Sequence, residues 1–117
     1  MFVLSALLIL FAALNVVLGQ SIISPANGTF YQSGDSVQTV IRGLKPGGKY
    51  RLAFYPTETG RILQSLNFTA SSDRTQYYYM YVPLAFSGDG TIQLMYYRDH
   101  SVPAFVDLNI TPRARHN

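Results

Sequence analysis

The chain has 117 residues, with 9 lysines and arginines against 6 acidic residues, and no cysteine. The lack of cysteine excludes disulfide scaffolds, thiolate zinc sites, thiol nucleophiles and iron–sulfur clusters. The net charge of +3 comes from basic residues scattered from Arg42 to Arg115 without a long run, so the sequence lacks the basic arm typical of nucleic-acid binding.

The first segment, residues 1–19, is a continuous apolar run that ends in small residues. Its length and composition are typical of a secretory signal peptide with cleavage after Gly19. A single membrane-anchoring helix of about 20 residues is the alternative, but Asn15 inside the run and the lack of flanking charges favour the signal. We therefore expect a secreted protein without a membrane anchor. It would have one small domain over residues 20–111 and a basic tail over 112–117.

Short runs of alternating apolar residues recur after residue 19, separated by Gly, Pro, Asn and Asp. In chain order they are SIIS, TFYQ, SVQTVIR, KYRLAFY, RILQSLNFT, TQYYYMYV, TIQLMYYRD and AFVDLNI. No segment after residue 19 keeps a 3.6-residue apolar period over about ten residues, which argues against helices. Period two with this punctuation predicts an all-β sandwich or barrel of about seven strands.

The alternation also predicts which side chains form the core, because successive side chains of a strand point to opposite faces. The intervening residues, among them Ala53, Thr91 and Met95, are expected on the outer faces. The expected core residues are Val37, Thr39, Ile41, Tyr50, Leu52, Phe54, Ile62, Leu66, Phe68, Tyr78, Met80, Val82, Ile92, Leu94, Tyr96, Val106, Leu108 and Ile110.

The stretch QYYYMYV, residues 76–82, holds four of the nine tyrosines of the chain. If Tyr78 faces the core, Tyr77, Tyr79 and Tyr81 stand outward as a column. Successive members are then about 6.6–6.8 Å apart, which is two strand rises. A tyrosine combines a flat apolar body with a hydroxyl that stays hydrated. The column is therefore a candidate stacking platform for sugar rings.

Other residues extend this hypothesis, and two alternatives oppose it. Tyr97 would be a neighbour of the column if the two strands pair, and Lys49 and Arg51 would supply hydrogen bonds from another edge. In the first alternative, tyrosine serves only as a good strand former. In the second, a loop or a neighbouring strand covers the column.

Three short patterns match the acceptor for N-glycosylation, Asn27-Gly28-Thr29, Asn67-Phe68-Thr69 and Asn109-Ile110-Thr111. Asn67 and Asn109 fall on the predicted outward faces, and Asn27 falls in a turn. Pro112 follows the third pattern and is expected to lower its use. These patterns favour a glycoprotein of the eukaryotic secretory pathway.

The titratable residues do not form a catalytic pattern. The only histidines are His100, expected in a loop, and His116 near the end of the chain. A copper polysaccharide monooxygenase needs histidine at its mature N-terminus, where cleavage here leaves Gln20. No G-x-S-x-G motif occurs, and most acidic residues sit beside turn signals, where they bond their own backbone. Asp107 is the exception, and we expect it in an outward strand position or bonded to a neighbouring loop. We predict no enzyme, no cofactor and no metal site.

The beginning of this domain resembles a known family. The pattern is carried by Ile22, Pro25, Gly28, Tyr31, Gly34 and Val37. It resembles the Ig-like domain that opens fungal Ser/Thr-rich, GPI-anchored cell-wall proteins and β-1,6-glucan-assembly proteins, and residues 88–110 are similar to small secreted fungal β-sandwich proteins. The resemblance implies an Ig-like antiparallel β-sandwich that acts at the cell wall without catalysis. Because TPRARHN at the end of the chain is not an apolar tail, we expect a freely secreted form.

Three functions remain open from the sequence. The first is binding at the cell wall or extracellular matrix, where polysaccharide is the candidate ligand. The second is a secreted effector or inhibitor that binds a host protein, with the same tyrosines as interface anchors. The third is an oligomeric structural wall protein whose tyrosine column lies between subunits.

Overall fold

The computed structural model describes residues 20–71 and 75–113, which form eight strands and no helix. The expected signal peptide and residues 114–117 of the expected tail lie outside the described residues. The strands are rich in β-branched and aromatic residues, which favour a pleated, half-buried surface. Their bounds are β1 Ser21–Ser24, β2 Thr29–Gln32, β3 Ser36–Arg42, β4 Lys49–Pro56, β5 Gln64–Thr69, β6 Gln76–Tyr81, β7 Gly88–Tyr96 and β8 Ser101–Thr111.

The strands form two sheets that pack face to face around one core. One sheet has three strands in the order β1-β3-β6, and the other has five in the order β2-β8-β7-β4-β5. Only the pairing of β2 with β8 is parallel among the described strands. The expected all-β, Ig-like sandwich is confirmed, with eight strands where the sequence predicted about seven.

The beginning of the domain crosses from one sheet to the other in the turn that contains Pro25. The Ser24–Pro25 peptide is cis, and the chain leaves β1 in the three-stranded sheet to join the five-stranded sheet as β2. Gly34 then turns the chain into β3 with φ +87°, a conformation that favours glycine. Arg113, the last described residue, donates a hydrogen bond to the Ser33 carbonyl oxygen and pairs with the Asp35 carboxylate, so the end of the described chain lies against this turn.

Most of the expected core is buried between the sheets. The most deeply buried side chains include Val37, Thr39, Ile41, Tyr50, Leu52, Phe54, Met80, Val82, Ile92, Leu94 and Leu108. Four aromatic rings form a row in the core, three from the five-stranded sheet and one from β6. The ring of Tyr78 on β6 lies 4.2 Å from that of Phe68 on β5, between centroids, Phe68 lies 5.7 Å from Tyr50, and Tyr50 lies 4.8 Å from Tyr96. This row fixes the edge strand β6 to the opposite sheet.

The hydroxyl of Tyr50 is buried with its ring but has hydrogen-bond partners. It accepts a hydrogen bond from the backbone N–H of Lys45 and another from the side-chain amide of Gln20, each at 2.9 Å. A buried polar group needs such partners, because leaving it unpaired costs about 1–3 kcal/mol. Burial raises the pKa of the Tyr50 hydroxyl above its ordinary value.

Two expectations about the core were wrong. Ile62 is 42% exposed, because β5 begins at Gln64 and the preceding residues belong to the connection rather than to the strand. Ala53, Thr91 and Met95 lie on the outer face of the five-stranded sheet, as predicted, but they are buried. They stand on β4 and β7, each of which has a neighbouring strand on both sides, so side chains of adjacent strands exclude water from them.

Candidate functional site

The exposed tyrosines of β6 form the first candidate site. Tyr77, Tyr79 and Tyr81 are 60%, 65% and 41% exposed, whereas Met80 is buried and Tyr78 packs against Phe68. The alternation therefore predicted the two faces of this strand correctly. The stretch is both core and surface, since one tyrosine faces inward and three face outward. Their role in binding a ligand stays a prediction.

The opposite residues on β3 carry short or neutral side chains. The amide nitrogen of Gln38 lies 3.4 Å from the Tyr79 hydroxyl, to which it donates a long hydrogen bond. At one end of this face, Arg42 donates through Nε to the Thr75 hydroxyl at 3.4 Å. We call the face formed by these three cross-strand pairs the tyrosine surface: Tyr81 with Ser36, Tyr79 with Gln38, and Tyr77 with Val40.

The tyrosine surface lies at the edge of its sheet. In the described part of the chain, β6 hydrogen-bonds to β3 on one side only. The exposed fractions of Tyr77, Tyr79 and Tyr81 show that neither a loop nor a strand among residues 20–71 and 75–113 covers the column. Within the same residues, no strand pairs with the second edge of β6.

Tyr97 does not belong to the tyrosine surface. Tyr97 would neighbour the column only if β6 paired with β7. Instead, β6 pairs with β3, and β7 pairs with β4 and β8. Tyr97 follows β7 at one end of the five-stranded sheet, and its hydroxyl donates to Asn67 Oδ1 at 2.7 Å. With Lys49 it lines an open depression of about 360 Å³. Arg51 lies on the outer face of the same sheet, between Asn67 and Met95.

The three glycosylation acceptors lie at the surface of the five-stranded sheet or its turns. Asn67 and Asn27 are exposed and Asn109 is partly exposed. Asn27 Oδ1 accepts a hydrogen bond from the backbone N–H of Asp107 at 3.0 Å. Asp107 is exposed, as expected for an outward strand position, and its carboxylate accepts from Thr91 on β7 rather than from a loop. The Asn109 side chain donates to the Gly28 carbonyl oxygen at 3.5 Å. Their glycosylation stays a prediction.

The acidic residues and histidine do not converge in the described part of the chain. His100 is exposed in the turn between β7 and β8, with φ +57°. Beside it, hydrogen bonds from the side chain and backbone of Ser101 lower the pKa of Asp99. Among the described residues, no group of three or more His, Asp or Glu side chains is placed to hold a metal ion. The same residues include no helix long and apolar enough to cross a membrane.

A second exposed apolar group lies on the outer face of the five-stranded sheet, where the sequence pattern predicted no site. Phe105 is 60% exposed and Val102 is 42% exposed. The alternation of AFVDLNI placed Phe105 outward, but the pattern does not show which side chains on other strands stand beside it. That information depends on the register of β4, β7 and β8.

Comparisons with known proteins support the fold and leave the ligand open. No protein-family model matches the chain, and no curated protein matches it in sequence. The solution structure of the CARDB domain of PF1109 from Pyrococcus furiosus is similar with a TM-score of 0.50 and 12% identity, over 81% of this chain and 94% of that one. A fibronectin(III)-like module of CbhA from Clostridium thermocellum has a TM-score of 0.49 and 13% identity, over 81% of this chain and 99% of that one. A chitin binding domain from Burkholderia pseudomallei has a TM-score of 0.48 and 13% identity, over 73% of this chain and 57% of that one. At such low identity these similarities concern the fold alone, and the chain has a β-sandwich fold.

Proposed function

We propose that this protein is a secreted, non-enzymatic β-sandwich that binds polysaccharide at a fungal cell wall or extracellular matrix through the tyrosine surface. The observation that carries the proposal is the set of three exposed tyrosines on one face of β6, with nothing packed over them in the described structure. A sugar ring has an apolar face and a rim of hydroxyls. Tyrosine matches it with an apolar ring and a polar end.

The dimensions and charge of the tyrosine surface favour an extended neutral polymer. Three tyrosines at every second residue span about 13 Å, so a chain lying along β6 contacts several sugar units. The β3 partners Ser36 and Gln38 supply a hydroxyl and an amide without a charge. The charged residues lie at the ends of the row: Arg42 stands beyond Val40, and Asp35, which precedes Ser36, is paired with Arg113. The fungal setting is supported by the resemblances at residues 22–37 and 88–110.

Retention on insoluble polysaccharides tests the proposal. We expect the mature protein to sediment with at least one of β-glucan, chitin and cellulose, and Tyr79→Ala to lose most of this retention. Phe30→Ala is the matched control, because Phe30 is 71% exposed on the other sheet. Equal retention of the two variants, or no retention of the wild type on any polymer, would refute the proposal.

Secretion and glycosylation need a separate test, because the signal segment lies outside the described residues. The full chain should be expressed in yeast cells and collected from the medium. We expect an N-terminus at Gln20 and a mass that falls after treatment with an endoglycosidase. A full-length chain that remains in the membrane fraction would contradict cleavage after Gly19.

A protein partner is the second candidate function, and the free edge of β6 favours it. An extended peptide can add to such an edge through main-chain hydrogen bonds, with exposed tyrosines as anchors. A secreted effector or inhibitor would use the site in this way, and a structural wall protein would use it between copies of the chain. If the protein is an effector or inhibitor, we expect it to form a stoichiometric complex with one host protein, and Tyr79→Ala to lose this complex. If it is a structural wall protein, we expect the size of its particles in solution to rise with protein concentration.

A further inference from the structure

A groove runs along the outer face of the five-stranded sheet, on the opposite side of the sandwich from the tyrosine surface. Its volume is about 420 Å³, which is within the usual range of ligand sites, about 300–1,000 Å³. It combines aromatic, hydroxyl, amide and carboxylate groups from β4, β7, β8 and the segment after β4. The lining residues are Tyr55, Thr57, Thr91, Gln93, Val102, Phe105 and Asp107.

The register of three strands creates the groove. Thr91 on β7 stands directly between Tyr55 on β4 and Asp107 on β8. A short side chain between two longer ones leaves a depression, and Thr91 is its floor with only 2% exposure. Next along β8, the exposed ring of Phe105 opposes Gln93 and forms an apolar wall.

A row of hydrogen bonds fixes which groups in the groove can accept. Thr91 Oγ1 donates to Asp107 Oδ1 at 2.8 Å. A hydroxyl has one proton, so in the 2.9 Å contact between Thr57 Oγ1 and Thr91 Oγ1 the donor is Thr57. The lone pairs of Thr57 remain available. Asp107 Oδ2 has no hydrogen-bond partner among the described residues.

The other end of the groove adds both donors and an acceptor. Gln93 Nε2 donates to the Tyr55 hydroxyl across 3.5 Å, which leaves Gln93 Oε1 to accept, and the second Nε2 proton and the Tyr55 proton to donate. Burial and the nearby Asp107 carboxylate raise the pKa of Tyr55, so its hydroxyl keeps that proton at neutral pH. The free groups of the groove are therefore mainly acceptors, beside an apolar aromatic wall.

We propose that this groove is a second, separate carbohydrate site that binds a single neutral oligosaccharide chain. The hydroxyl groups of the sugar donate to the free acceptors on Asp107, Thr57 and Gln93, and the apolar face of a sugar ring covers Phe105. Asp107 is the only charged side chain among the lining residues, so an acidic saccharide would be repelled. A groove holds one soluble chain, whereas the flat tyrosine surface suits the face of an insoluble polymer. The two sites do not depend on each other.

A second copy of the protein is a poorer occupant. A stable interface buries about 800 Å² on each partner, but the lining residues offer only Phe105 and Val102 as strongly exposed apolar side chains. The lining residues include no cation, so two-fold pairing of the groove itself would remove water from the Asp107 carboxylate without a partner of opposite charge, which is costly.

NMR titration of the folded protein with soluble hexasaccharides tests the proposal. The probes are the hexasaccharides of β-1,3-glucan, cellulose and chitin, added separately. We expect at least one of them to shift amide signals of β7 and β8. Phe105→Ala should weaken this binding about tenfold or more, because it removes the apolar wall. Asp107→Asn should weaken it several-fold while retaining an oxygen for the Thr91 hydroxyl. Phe30→Ala is the control for an exposed ring outside the groove.

The outcomes for the groove differ from those for the tyrosine surface. Binding of a hexasaccharide that persists in Tyr79→Ala but falls in Phe105→Ala and Asp107→Asn supports the groove. Binding lost in Tyr79→Ala and unchanged in Phe105→Ala overturns the groove and leaves the tyrosine surface standing. The groove is also overturned if the amide signals of β7 and β8 shift with protein concentration in the absence of sugar. It is likewise overturned if none of the three sugars shifts these signals.

Discussion

Tyr78 and Tyr79 are adjacent on β6, and substituting each by alanine should lower stability by very different amounts. Tyr78 packs its ring against Phe68 at 4.2 Å and donates its hydroxyl to Gln76 at 2.7 Å. Tyr79 is 65% exposed and pairs across the strand with Gln38. Because the two share a strand and a residue type, their β propensities are the same. The comparison therefore isolates the effect of the face.

The expected magnitudes follow from burial. Replacing a fully buried aromatic residue by alanine costs about 3–5 kcal/mol. Tyr78 is only partly buried, so we expect Tyr78→Ala to lower the free energy of unfolding by about 2–3 kcal/mol. Surface substitutions usually stay within about 0.5 kcal/mol, and loss of strand propensity adds at most about 1 kcal/mol. Tyr79→Ala should therefore cost less than about 1 kcal/mol.

Urea unfolding of the mature protein, followed by tyrosine fluorescence or circular dichroism, measures both changes. With a urea dependence of about 1–3 kcal/mol per molar, Tyr78→Ala should lower the midpoint by about 1 M. The midpoint of Tyr79→Ala should stay near that of the wild type. If Tyr79→Ala is as destabilised as Tyr78→Ala, or if Tyr78→Ala is unaffected, the assignment of the two faces of β6 is wrong.

Three further predictions concern the core. Gly90→Ala should destabilise by about 1–3 kcal/mol, because the added Cβ would lie 2.6 Å from Phe54 Cε2 in a closed interior; an unchanged urea midpoint would contradict this packing. Tyr50→Phe should cost about 1–2 kcal/mol in the same assay, because the backbone N–H of Lys45 loses its acceptor; a variant as stable as the wild type would show that water replaces the hydroxyl without cost. The pKa values of Tyr50 and Tyr78 are raised above 10.0, chiefly by burial, so the folded state holds these protons more tightly than the unfolded state. Their contribution to stability is complete below about pH 10 and is lost as pH rises through the folded pKa values. Urea midpoints should therefore fall above about pH 10, and less steeply in Tyr78→Phe.

Local pattern accounts for much of the candidate sites. A period of two residues is a property of the strand itself, so the outward position of Tyr77, Tyr79 and Tyr81 followed from the sequence and was confirmed. The same reasoning placed Phe105 and Asp107 on an outer face. It failed at Ile62, where an apolar run continued beyond the strand, because alternation does not show where pairing begins.

Strand pairing is the part that the sequence pattern does not contain. The sequence predicted Tyr97 beside the column only if β6 and β7 pair. Because β6 pairs with β3, Tyr97 lies at the end of the other sheet instead. The groove arises in the same way, since Thr91, Tyr55 and Asp107 become neighbours only through the register of β7 with β4 and β8.

The sequence by itself determined that this is an all-β domain and which side chains of most strands face inward, because both depend on contacts between residues close in the chain. Only the tertiary structure decided which strands are neighbours, which outward residues are covered and where a depression forms. Those features depend on the sizes of side chains brought together from distant segments. The tyrosine surface is thus largely a property of one strand, whereas the groove is a property of the assembled sheet.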